Sequence, residues 1–172
     1  NMGVDICDKW APQRYRLALI YENEKGQVEQ YTFWDLKRLS NRLANGLKAH
    51  GLSQGDRMGI MLPQSPEAGI SHIAIYKIGA IAIPLLPLFG TDALAYRLSN
   101  SEAKGIVTDE ANLQKVLDIW EKLPDLEIVV VTRGERREGI LDFWELIDKR
   151  SAEFQPVRTR GDDPAFISYT SG

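Results

Sequence analysis

Residues 58–86 read MGIMLPQSPEAGISHIAIYKIGAIAIPLL, and the punctuation inside this stretch decides the fold. Met58 to Leu62 is a short apolar run stopped by Pro63, which has no N–H to give a strand ladder. Ser65-Pro66-Glu67 then supplies a hydroxyl cap, a proline at the first helical position and a carboxylate in the first turn. Ile70, Ile73, Ala74 and Ile78 follow at helical spacing, and Gly79 offers the left-handed conformation that closes a helix. Ile81 to Leu86 is a continuous apolar run, the pattern of a strand covered on both faces. The unit is strand, helix, strand.

The same alternation extends in both directions. Upstream, Leu17–Glu22 and Gln27–Phe33 are β-like runs around Asn23-Glu24-Lys25-Gly26, which predicts a hairpin. Thr32 and Asp35 stand in capping-box spacing before Leu36, Leu39, Leu43 and Leu47, with Gly51 as the stop. Downstream, Thr91-Asp92 caps a short helix carrying Leu94 and Leu98, and Gly105–Thr108 is the next strand. Asp109 caps a helix with Leu113, Val116, Leu117 and Trp120 that ends near Pro124. Leu126–Thr132 reads as a strand and Ile140–Lys149 as an amphipathic helix. The expected class is therefore α/β: a mostly parallel sheet flanked by helices, with an N-terminal hairpin. An α+β fold with an antiparallel sheet is the alternative.

Composition bounds the function. The chain has 172 residues, 44% hydrophobic and 26% charged, which suits one globular domain. A net charge of −3 with no long basic block argues against a nucleic-acid or membrane surface. Arg133-Gly134-Glu135-Arg136-Arg137 is the one short basic cluster and reads as a solvated loop. A single cysteine, Cys7, excludes an internal disulfide framework and suits a reducing compartment. No run reaches the roughly 18 apolar residues of a membrane helix, so a cytoplasmic location is expected.

Few side chains ask for a catalytic role. His50 stands at a helix end and His72 among Ile70, Ile73 and Ala74, positions that suit capping or packing. One cysteine and two separated histidines make no metal cluster. Asp162-Asp163 reads as a solvated turn, and Trp34, Trp120 and Trp144 as packing aromatics on helices; Trp10 has no evident place.

The end of the chain is more informative. Phe166-Ile167 starts a strand that runs into Tyr169-Thr170-Ser171-Gly172. In open parallel sheets ligands sit beyond the carboxyl ends of the strands, which is where such a strand delivers its last residues. Hydroxyls and unencumbered backbone N–H groups suit phosphate oxygens, and glycine lets the main chain approach closely. Thr-Ser-Gly is equally common turn chemistry.

The wider pattern resembles the AMP-forming acyl-CoA synthetases and their adenylating relatives. Residues 31–67 (YTFWDLKRLSNRLANGLKAHGLSQGDRMGIMLPQSPE) are similar to the opening of that family, and residues 76–87 (YKIGAIAIPLLP) to its second core segment. Residues 94–110 (LAYRLSNSEAKGIVTDE) match the next block, and residues 162–172 (DDPAFISYTSG) the approach to its ATP-phosphate loop. In the family that loop continues Thr-Ser-Gly-Ser/Thr-Thr-Gly-x-Pro-Lys-Gly. Synthetases of the acetyl, propionyl or medium-chain type resemble the chain most; nonribosomal adenylation domains and luciferase-like enzymes share the blocks.

The resemblance implies a two-step ligase using ATP, magnesium, a carboxylic acid and coenzyme A. It implies that Thr170, Ser171 and Gly172 are the first half of the phosphate loop, and that residues 1–172 are the N-terminal portion of the AMP-binding domain. The loop lysine, acyl pocket, adenine and magnesium contacts and the C-terminal domain's lysine belong beyond Gly172 in family members. A piece of this kind is expected to be inactive alone and to self-associate through its cut sheet edge. The rival expectation is a stand-alone nucleotide- or protein-binding α/β module without catalysis.

Overall fold

The computed structural model describes residues 1–135 and 137–170. Two short pieces precede the predicted pattern: helix α1 (Met2–Ile6), capped by the Asn1 side chain, and a single 3-10 turn (Asp8–Trp10). The hairpin follows as β1 (Leu17–Glu22) and β2 (Val28–Thr32), antiparallel, with Gly26 at φ 71° in its turn. Only glycine takes that conformation without strain.

Helix α2 (Phe33–Ala49) opens with the predicted capping box. Thr32 Oγ1 accepts from the Asp35 N–H at 3.2 Å, and Asp35 Oδ2 accepts from the Thr32 N–H at 3.0 Å. Then come β3 (Arg57–Met61), α3 (Pro66–Ile78), β4 (Ile81–Pro84), α4 (Thr91–Asn100), β5 (Gly105–Asp109), α5 (Glu110–Trp120) and β6 (Ile128–Thr132). Ser65 caps α3 and Gly79 ends it at φ 76°; Asp109 caps α5. Each was marked in the sequence by a residue whose local chemistry admits few alternatives.

Some boundaries differ from expectation. Helix α4 starts one residue early, with Gly90 at the cap position and no side-chain bond, so Thr91 is its first helical residue rather than its cap. The predicted helix over 140–149 is a two-residue strand β7 (Leu141–Asp142) followed by α6 (Phe143–Asp148), with Asp142 as cap. Pairing of Leu141 and Asp142 with Val130 and Val131 takes those residues into the sheet before the helix can begin.

The main sheet has five strands in the order β4-β3-β5-β6-β7, every neighbouring pair parallel. The chain steps from β3 to β4 on one side and then returns past β3 to β5 on the other. That reversal makes the gap between β3 and β5 the switch point of the sheet. The reversal also divides the helices between two faces. Met58, Ile60, Val107 and Val130 pack on one side with α2, α3 and α6. Met61, Ile106, Val129 and Val131 pack on the other with α4 and α5. Side chains alternate across a strand, so each continuous apolar run feeds two cores.

Candidate active-site rim

The carboxyl ends of the parallel strands form a rim built from loop and helix-start residues. Pro63 stops β3, and the N-terminus of α3 rises beside it. Between Leu62, Ser65, Ala68, His72 and the Leu86 loop after β4 lies an apolar cavity of about 500 Å³. Its polar wall is sparse. His72 Nδ1 lies 3.1 Å from the Tyr76 hydroxyl, and burial pushes the imidazole pKa below its ordinary 6.5. The ring is therefore neutral at pH 7, and it packs, as its apolar neighbours in the sequence suggested.

A second cavity, of about 250 Å³, opens at the switch point itself. The ends of β3, β5 and β6 and the starts of α3 and α5 meet there, bringing Ser65, Glu67, Asp109, Thr132 and Arg133 together. Glu67 is only 4% exposed, and its Oε1 lies 3.1 Å from the guanidinium of Arg133. Arg133 sits at φ 56°, a conformation costly for a residue with a Cβ. Beside this pair, Arg137 donates to Glu110 Oε1 at 2.6 Å. Two arginines of the basic cluster thus pair with carboxylates at the rim while their side chains stay in contact with solvent, as a solvated loop requires. Periodicity carries no signal for such pairs, because both partners sit in loops or first turns.

The last described residues run along the free edge of β4. The Ala82 N–H donates to the Ala165 carbonyl at 3.0 Å, and the Ile167 N–H to the Ala82 carbonyl at 2.9 Å. The resulting bridge between Ala82 and Phe166 is parallel, so the chain from Phe166 runs in the same sense as β3 to β6. It is one bridge, shorter than the strand the sequence predicted. Tyr169 anchors the end of this segment on α4. Its ring stands edge-on to Tyr96 at 6.4 Å, with the Arg97 guanidinium 5.5 Å from its centre. Its hydroxyl lies 2.8 Å from Asn100 Oδ1 and 3.1 Å from the Arg97 carbonyl. Thr170 comes next and is exposed; Ser171 and Gly172 lie outside the described residues.

The other candidates are placed elsewhere. His50 is the C-cap of α2 and exposed. Asp162 and Asp163 are exposed, and Asp163 Oδ2 accepts from the Arg160 N–H at 2.8 Å, closing a local turn. Cys7 is buried, and desolvation pushes its thiol up to about 11, which makes it a poor nucleophile. Trp10 finds its place by tertiary contact, 6.4 Å from Phe33. Among the described residues no group of three or more His, Cys, Asp and Glu is arranged to hold a metal ion. No helix among them is long and apolar enough to cross a membrane.

Comparison with known proteins gives one family. The profile described as "AMP-binding enzyme" matches residues 8–172. Acetyl-coenzyme A synthetase of Bacillus subtilis (strain 168) is 37% identical over 100% of this chain and 30% of its own length. The mitochondrial acyl-coenzyme A synthetase ACSM1 of Homo sapiens is 35% identical over 100% of this chain and 31% of its own. The chain thus spans about three-tenths of these relatives. The crystal structure of Brucella canis acyl-CoA synthetase superposes with a TM-score of 0.90 at 32% identity, over 100% of this chain and 31% of that one. An anthranilate CoA ligase, AuaEII, solved in complex with anthranoyl-AMP, gives 0.91 at 26% identity over 99% and 32%. The fold superposes over essentially its whole length on those of acyl-CoA synthetases, and the chain belongs to the AMP-binding enzyme family.

Proposed function

We propose that the protein to which these 172 residues belong activates a carboxylic acid with ATP and passes the acyl group to coenzyme A. In the first step a carboxylate oxygen attacks the α-phosphorus of ATP. The bond to the β-phosphate breaks, and pyrophosphate leaves with an acyl-adenylate formed. In the second step the thiol sulfur of coenzyme A attacks the acyl carbon. The carbon–oxygen bond to AMP breaks, AMP leaves, and the thiol proton passes to solvent. Both steps bring anions together, so the protein's task is to hold phosphate charge while excluding competing water.

The observation that supports this reading is the parallel bridge between Phe166 and Ala82. It directs the hydroxyl-rich end of a family-matched chain toward the sheet rim where ligands of such folds bind. Thr170, Ser171 and Gly172 would donate to phosphate oxygens as the first half of the loop; magnesium, whose ligand in the family lies beyond Gly172, would neutralise charge on the same oxygens. The named relatives are synthetases and a CoA ligase, which favours the ligase over a binding module. Residues 1–172 alone would be inactive, lacking half the cradle.

The experiment is direct. The whole protein, given ATP, magnesium and a panel of short- and medium-chain carboxylic acids, releases AMP and pyrophosphate and forms a thioester only when coenzyme A is added. Release of ADP, or no acid-dependent turnover across the panel, overturns the reading.

A further inference from the structure

Residues 6–17 carry cations stacked on aromatic rings, in a part of the molecule with no role in the ligase reading. The Arg16 guanidinium lies 4.1 Å from the centre of the Trp10 ring and 5.6 Å from that of Phe33, with Lys9 Nζ 5.2 Å from Trp10 on the same stack. The Arg14 guanidinium lies 4.4 Å from the centre of the Trp34 ring. Phe33 and Trp34 are the first two residues of α2, so they join both stacks into one patch. Lys9 has Asp5 at 3.6 Å, but among the described residues no carboxylate pairs with Arg14 or Arg16. A net charge of −3 argued against anionic partners for the chain as a whole; Lys9, Arg14 and Arg16 are a local exception.

What projects beside them is apolar or amphipathic. Tyr15, between the two arginines, is 95% exposed, and Leu17 and Ile6 are each 45% exposed. From Pro12 to Leu17 every residue is exposed, so the patch is a surface open to solvent. Stacking holds one face of each guanidinium; one N–H of Arg16 donates to Gln13 Oε1 at 3.3 Å, and the remaining N–H groups of the two arginines face solvent, where anionic oxygens can reach them. Tyrosine and leucine between such forks suit a layer that is anionic outside and apolar beneath.

We propose that this patch docks on an anionic phospholipid surface, with Arg14 and Arg16 on lipid phosphates and Tyr15 and Leu17 entering the headgroup layer. The overall negative charge keeps the attachment local, weak and sensitive to salt.

Co-sedimentation of the 172-residue chain with vesicles tests it. The chain pellets with vesicles of equal parts phosphatidylcholine and phosphatidylglycerol and stays in solution with phosphatidylcholine alone. Two cations near an anionic leaflet account for a thirtyfold change in partition, roughly, so Arg14→Gln/Arg16→Gln weakens binding by about that factor. Tyr15→Ser weakens binding while leaving its salt dependence unchanged. Unaltered far-ultraviolet circular dichroism and urea midpoints show that the variants are folded. Two results overturn the proposal: no pelleting with the mixed vesicles, or pelleting undiminished in the double variant.

Discussion

The ammonium of Lys77 lies 2.7 Å from Asp8 Oδ1, with the lysine side chain wholly buried and the aspartate 11% exposed. Lys77 also donates to Ser40 Oγ at 2.9 Å and Asn41 Oδ1 at 2.7 Å, and Asn41 Nδ2 donates to the Ala152 carbonyl at 2.8 Å. One buried charge thus ties the N-terminal turn, α2, α3 and the segment after α6 together. Burial lowers the Lys77 pKa while Asp8 opposes that fall. Removing the counter-charge leaves an ammonium in the core. Asp8→Ala should destabilise the chain by about 3–5 kcal/mol, and Asp8→Asn by less, since the amide oxygen still accepts. Urea denaturation at pH 7 measures both; a cost under about 1 kcal/mol for Asp8→Ala would deny the tie its role.

Cys7 reports on the same region. Desolvation raises its thiol to about 11 from an ordinary 9.0, so the folded chain keeps a proton that the unfolded chain loses between those values. The stability the thiol contributes is fully present below pH 9 and is lost as pH rises toward 11. Iodoacetamide at pH 8 should leave native Cys7 almost unlabelled and modify it rapidly in urea. Fast native labelling would mean that α1 and its turn are not docked as described.

His72 acts at the acid end. Burial holds its pKa below 6.5, so the unfolded chain takes up the proton first as pH falls. Stability should drop as pH falls below about 6.5, and His72→Gln should flatten that part of the profile. A wild-type profile that the substitution leaves unchanged would place the acid sensitivity elsewhere.

Much of this architecture could be read from local chemistry. Thr32 with Asp35, Ser65 with Pro66, and Asp109 each state a helix start through bonds made within four residues, and all three are where the sequence put them. The continuous apolar run from Ile81 announced a two-sided strand because both faces had to be apolar. Contacts distant in sequence were invisible. Asp8 meets Lys77 across the fold, Trp10 is held by Phe33 and Arg16, and Glu67 finds Arg133 only after β6 is laid down. The 140–149 pattern is helical in period, yet Leu141 and Asp142 are claimed by the sheet edge. At the candidate site, the direction of the terminal segment followed from its letters, whereas the carboxylate–arginine pairs of the switch-point cavity did not.

Exposed apolar residues border the rim. Leu88 is 92% exposed, Leu86 60% and Phe166 48%, and among the described residues a single bridge extends the sheet beyond β4. The chain should therefore self-associate as concentration rises, and Leu88→Glu/Phe166→Glu should reduce association without changing the fold. Light scattering across a concentration series decides this: a clean monomer at the highest concentration contradicts it.

The most direct measurement is carboxylate-dependent ATP–pyrophosphate exchange, run on the whole protein, on its Thr170→Val variant and on the 172-residue chain. If the terminal hydroxyls hold phosphate, loss of one charge-assisted hydrogen bond lowers exchange by about ten- to a hundredfold in the variant, and the isolated chain gives none. Full exchange in the variant, or exchange by the isolated chain, contradicts the account.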